Sequence, residues 1–154
     1  MKSLSKNELG ILYHSNLLAG IDKENFNLFA AAVKKKIFKK GEYIIRQKEI
    51  GKGLYFILKG SAEVYAEKTE HVPRITFNRL ETGDFIGEYS LLDDLEASAH
   101  VQCTEKTETA CLSAIDFSLM VEENDAIGKV VFRNMLQTLV SRLREKDKEI
   151  DLIR

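Results

Sequence analysis

No apolar run in this 154-residue chain approaches the ~20 residues that span a bilayer. The start, MKSLSKNELG, lacks the long apolar core of a signal peptide. Together these absences lead to the expectation of a soluble, cytoplasmic chain with no membrane partner. An excess of positive charge is missing too. Lys and Arg number 23 and Asp and Glu 24, a formal net charge of −1, so nothing overall draws the chain to nucleic acid or anionic lipid. Two cysteines, Cys103 and Cys111, are too few for a disulfide framework. They sit in apolar, strand-like surroundings, which predicts buried, reduced thiols. The three histidines, His14, His71 and His100, stand far apart and form no metal-ligand spacing. Gly51-Lys52-Gly53 lacks the spacing and the Lys-Ser/Thr ending of a phosphate loop, and a turn is the better reading. No nucleophile-elbow motif accompanies the serines, and Glu88 has no partner acid or electrophile in sight. The expectation is a protein that is not an enzyme, with no cofactor and no metal.

What is present is an ordinary globular balance, 44% hydrophobic and 31% charged, at a length that supports one domain with a real core. The expected layout is a single domain over residues 1–154. Helices fill about 1–35, short strands 36–116 and helices again 117–154. Residues 4 to 20 carry a helical pattern with Leu9, Leu12 and Tyr13 on one face and Gly20 as a stop. Asp22 reads as an N-cap, followed by Phe26, Phe29, Ala30 and Val33 at helical spacing. From Lys34 the period changes. Ile37-Phe38 and Tyr43-Ile44-Ile45 flank a turn, and Lys34, Lys35, Lys36, Lys39 and Lys40 form a basic cluster read as a solvated face. Leu54 to Leu58 is an apolar run of strand length, Ala62 to Ala66 alternates, Glu67 to His71 reads as a hairpin loop, and Ile75 to Leu80 alternates again. Val101 to Cys103 and Thr109 to Ala114 are the last strands. Turn signals about every ten residues point to a sandwich or barrel of short strands. From Asp116 the pattern is helical, and Asn124 or Asp125 caps a long last helix. Phe132, Leu136, Leu139, Leu143, Ile150 and Ile153 mark a seam interrupted by Lys146. That stripe either covers the barrel or pairs with a second copy.

The organising stretch is FIGEYSLLDDLEASAHV, Phe85 to Val101. A turn at Gly83-Asp84 leads to Phe85-Ile86, then Gly87 and Glu88, a short helix, an acidic loop and the small residues Ala97-Ser98-Ala99. A glycine before a helix start gathers backbone N–H groups where an anion can sit.

Two segments carry a family resemblance. IIRQKEIGKGLYFILKG, Ile44 to Gly60, resembles the first signature of cyclic nucleotide-binding domains, with Lys48 where that family usually has glycine. Phe85 to Val101 resembles the second, the phosphate-binding cassette. The order of elements is similar too, over about Asn16 to Ile153. The resemblance implies an α+β, mainly β fold: a jelly-roll-like β-roll of about eight short strands, with N-terminal helices and a long C-terminal helix. It implies that Gly87 lets the backbone approach a cyclic phosphate and that Glu88 accepts from a ribose 2′-hydroxyl. Tyr89 and Ser90 would start the cassette helix, and Ser98 would offer its N–H or hydroxyl to the phosphate. Phe77 and Asn78 would lie near the base, and the terminal helix would close over it around Arg144 to Asp147.

The sequence departs from the family at Ala97, where an arginine normally forks onto the phosphate oxygens. Asp93, Asp94 and Glu96 stand nearby. Arg74, Arg79 and Lys146 are the cations considered as substitutes, Lys146 foremost because the seam brings it toward the base end of the pocket. Two functions follow. One is a regulatory module that senses cAMP, cGMP or a related small ligand with weakened affinity, forms a homodimer through the C-terminal helix and acts on an output protein in trans. The other is a degenerate, non-binding domain serving dimerisation or protein interaction.

Overall fold

A computed structural model of the chain describes residues 3–67 and 74–153. The polar hairpin expected up to His71 lies, beyond Glu67, outside the described residues. Helices α1 (Lys6–Tyr13) and α2 (Lys23–Ala32), joined through a 3-10 turn at Asn16–Leu18, precede eight strands. These are β1 (Lys34–Phe38), β2 (Tyr43–Ile45), β3 (Gly53–Lys59), β4 (Ala62–Ala66), β5 (Ile75–Leu80), β6 (Phe85–Ile86), β7 (His100–Cys103) and β8 (Thr107–Ser113). Helix α3 (Glu88–Asp93) sits between β6 and β7, and α4 (Ala114–Glu123) and α5 (Asp125–Ile153) close the chain. The strands form two four-stranded antiparallel sheets, ordered β1-β8-β3-β6 and β2-β7-β4-β5. This is the β-roll with flanking helices that the sequence implies.

Strand β3 explains the layering. Side chains alternate across a strand, yet six of its seven residues are buried, because both its faces are covered. Leu54, Phe56 and Leu58 join one core, with Leu12, Phe29, Phe85, Leu112, Ile127 and Val131, under the helices. Tyr55 and Ile57 join the other, with Phe38, Ile44, Leu80 and Val101, inside the roll. Cys103 is buried, Cys111 is half-buried and both are free. Burial pushes both thiols up, away from reactive thiolate.

Several local expectations change. The first helix stops at Tyr13 rather than Gly20, because the Ser15 side chain accepts from the Leu17 N–H and caps a separate 3-10 turn. Asp22 does cap α2, accepting from the Asn25 N–H at 2.8 Å. Lys35 is not part of a solvated face: it pairs with Glu8 on α1 and with Glu108 on β8. The long final helix begins at Asp125, where the sequence placed its cap, and a separate helix capped by Ser113 precedes it. Helix α5 carries two apolar faces. Ile127, Val131 and Met135 are buried against the domain, a face absent from the sequence reading. Phe132, Leu136, Val140, Leu143 and Ile150 are exposed. Buried Asn134 pins α5 to the 3-10 turn, donating to the carbonyls of Leu17 at 2.8 Å and Ala19 at 3.0 Å.

Candidate functional site

The cassette bridges the two sheets, leaving one at β6 and entering the other at β7. Its entry is fixed by the pairing of Phe85 with Phe56 and of Ile86 with Tyr55 on β3. Gly87 follows in a left-handed conformation, φ 105°. A Cβ there would stand 2.2 Å from the Gly53 carbonyl oxygen. The glycine is therefore required by the packing of the cassette on β3, whether or not a ligand approaches.

Gly87 starts α3, a helix of only six residues. Its first residue, Glu88, is 2% exposed. Charged carboxylates are buried only with partners, and Glu88 has one. Oε1 accepts from Nη1 of Arg142 on α5 at 2.9 Å. The same nitrogen donates to the Tyr89 hydroxyl, and the guanidinium lies 5.5 Å from the Tyr89 ring centre. Burial works against the charge on Arg142, but the Tyr89 hydroxyl and the Glu88 carboxylate outweigh it and raise its pKa above the ordinary value. Oε2 of Glu88 is buried and has no hydrogen-bond partner among the described residues. A buried acceptor left unsatisfied costs about 1–3 kcal/mol.

The far end of the cassette is held by the loop after β2. The Lys48 N–H donates to the Ala97 carbonyl and the Ala97 N–H to the Glu49 carbonyl, both at 2.8 Å. Ile50 and Glu96 form a β-bridge beside them. Both backbone polar groups of Ala97 are thus engaged. Lys48 makes this contact at φ 71°, a conformation that costs a non-glycine residue about 1–2 kcal/mol. Ser90 is half-buried with its hydroxyl 3.5 Å from the Leu95 carbonyl, and Ser98 is exposed. On β5, Phe77 is 56% exposed, and Asn78 is exposed and accepts from the Arg79 N–H.

The structure thus brings Gly87, Glu88, Tyr89 and Ser90 together on α3, with Ala97 tied to the β2–β3 loop. It does not bring the considered cations to them. Arg74 pairs with Glu63 at 3.1 Å, Arg79 stands 4.0 Å from Glu81, and Lys146 pairs with Glu149 at 3.1 Å. Among the described residues, the cationic side chain bonded to α3 is that of Arg142, which the sequence reading missed. It lies one helical turn before Lys146, so the i−4 neighbour of the chosen lysine was the available signal.

Residues 35–124 match the family model described as cyclic nucleotide-binding domain. A relative, the cyclic AMP receptor protein of Thermus thermophilus, is 30% identical over 139 residues, covering 90% of this chain and 62% of that protein. The chain thus spans about three fifths of that relative's length. Among solved structures, Thermus thermophilus catabolite activator protein superposes with a TM-score of 0.79 at 29% identity, covering 90% of this chain and 63% of that one. The regulatory subunit of a cAMP-independent protein kinase A from Trypanosoma cruzi, bound to guanosine, superposes at 0.67 with 26% identity, covering 86% of this chain and 49% of that one.

Proposed function

Because the chain belongs to the cyclic nucleotide-binding domain family, we propose that it is a regulatory module sensing a small ribose-bearing ligand over Gly87 and Glu88. The observation that carries this is the buried Glu88 carboxylate, with one oxygen held by Arg142 and the other lacking a donor. A ribose hydroxyl supplies such a donor. Ser90 and Ser98, at the two ends of the cassette, are the further polar contacts, and Phe77 and Asn78 on β5 are the candidates to face the base. Lys146 has no part unless it leaves Glu149. The ligand class is open in this fold, since one relative is described with cyclic AMP and another with guanosine.

cAMP and cGMP fit this pocket with reduced affinity, because Ala97 offers a methyl group where the family has a cation. Titration calorimetry of the full chain with each tests the reading. Dissociation constants between about 10 µM and 1 mM are expected, about one to three decades short of micromolar binding. A low-micromolar constant for either would show that the missing cation carries no penalty.

One observation favours an interaction role beside or instead of sensing. Phe132, Leu136, Val140 and Leu143 line one exposed side of α5 at helical spacing. A second copy of the chain, laying the same stripe against it, would cover that face as a homodimer. Sedimentation of the full chain against its Leu136→Asp, Val140→Asp variant decides the point: the full chain is expected to dimerise and the variant to stay monomeric. Monomers in both at ~100 µM would remove the dimer.

A further inference from the structure

The acceptors and donors around Glu88 are unequal in number, and the imbalance has a sign. Oε2 of Glu88 needs a donor. Nη1 of Arg142 is already shared between Oε1 and the Tyr89 hydroxyl. The N–H of Ala97 is used by Glu49. The loop before Ala97 adds the exposed carboxylates Asp93, Asp94 and Glu96. With six residues, α3 concentrates little dipole at its start. The buried carboxylate asks for one more hydrogen-bond donor, and where the cassette meets the β2–β3 loop Ala97 offers a methyl group beside three exposed carboxylates, with the exposed Lys48 as a cationic side chain on the loop.

A 3′,5′-cyclic nucleotide meets that demand with one hydroxyl but brings a charge with it. Esterification consumes two ribose hydroxyls, leaves the 2′-hydroxyl as the one sugar donor and adds a negative charge. An uncharged nucleoside keeps its 2′,3′-diol and its 5′-hydroxyl and brings no charge. An anion set beside carboxylates without a paired cation loses its hydration without compensation. A hydroxyl set on a buried carboxylate gains a charge-assisted hydrogen bond.

We propose that the pocket selects an uncharged nucleoside over the corresponding cyclic phosphate, with a ribose hydroxyl donating to Oε2 of Glu88 while Arg142 keeps Oε1. Arg142 is then a specificity-determining residue. It neutralises the buried carboxylate from the α5 side and leaves one oxygen free, which suits a neutral donor and not an anion. This deepens the pocket proposed for the family ligand and rests on it.

The test is calorimetry of the full chain with adenosine, guanosine, cAMP, cGMP and the 2′-deoxy and 3′-deoxy forms of the better nucleoside. At least one nucleoside is expected to bind tenfold or more tightly than its own cyclic phosphate. Removing the hydroxyl that meets Oε2 is expected to weaken binding at least tenfold. A cyclic phosphate that binds as well as or better than its nucleoside overturns the selection while leaving the pocket in place. No binding by any of these compounds, with the fold intact by circular dichroism, overturns both. Arg142→Gln separates the roles further. It is expected to change the nucleoside-to-cyclic-phosphate ratio at least threefold, with thermal unfolding recorded alongside; an unchanged ratio in a folded variant removes Arg142 from specificity.

Discussion

Ala97→Arg strengthens cyclic nucleotide binding by tenfold to several thousandfold. The range follows from what one forked cation supplies. A hydrogen bond to a charged group contributes about 1.5–3 kcal/mol. Truncating one partner of a buried charge pair costs about 2–5 kcal/mol. At about 1.4 kcal/mol per decade, the two bounds bracket the predicted gain. Half-buried Ala97 is well placed for the change. Its backbone is fixed at both polar groups by Glu49 and Lys48, so a new side chain starts from a held origin and loses less entropy on binding. The added cation also faces Asp93, Asp94 and Glu96, so part of the gain is charge relief that salt screens. Calorimetry with cAMP and cGMP at two salt concentrations reads both parts. No gain in a folded variant would mean that the cassette no longer presents a phosphate site.

Gly87→Ala destabilises the fold by about 2–5 kcal/mol. The left-handed conformation accounts for about 1–2 kcal/mol in a residue with a side chain. The remainder comes from the new Cβ, 2.2 Å from the Gly53 carbonyl oxygen, because overpacking against backbone costs about 1–3 kcal/mol. Gly83 is the control. Its φ is also positive, 96°, but a Cβ there meets nothing within 4 Å. The difference in urea midpoints between Gly87→Ala and Gly83→Ala therefore isolates the contact with β3. Equal losses would show that the Gly53 edge yields and that Gly87 is required only for its dihedral angles. A protein of this size has about 5–15 kcal/mol of stability in total, so the larger loss would leave little of it.

The Gly87 contact also explains why the family was legible in the sequence while the ligand was not. Gly87 and the apolar run of β3 are dictated by packing: one lies against the Gly53 carbonyl, the other between two cores. Such residues persist as pattern whatever the pocket holds. The same holds for Asp22, whose cap is a local interaction three residues long. Arg142 is different. Its partner Glu88 is 54 residues away, and the one pointer to it was the choice of Lys146 a helical turn further along α5. Helix α5 misled for a related reason. Its buried face, Ile127, Val131 and Met135, overlaps in sequence with the exposed stripe through Phe132 and Leu136. The sequence reading took the exposed stripe and left out the buried one. The break at Tyr13 was hidden because residues 4 to 20 keep a helical rhythm across the Ser15 cap.

Helix α5 is pinned to the domain at Asn134 and touches the cassette at Arg142, and it then continues to Ile153. At 1.5 Å per residue, Arg142 stands ~12 Å along the axis from the pin and Ile153 ~28 Å. The helix is a lever with its fulcrum near the 3-10 turn and its load arm more than twice its effort arm. An adjustment of ~1 Å at Arg142, the size of a hydrogen bond made or lost at Glu88, becomes ~2.4 Å at the helix end if α5 moves as a rigid rod. If the proposed ligand occupies that carboxylate oxygen, its binding is carried as a displacement more than 15 Å further along the axis.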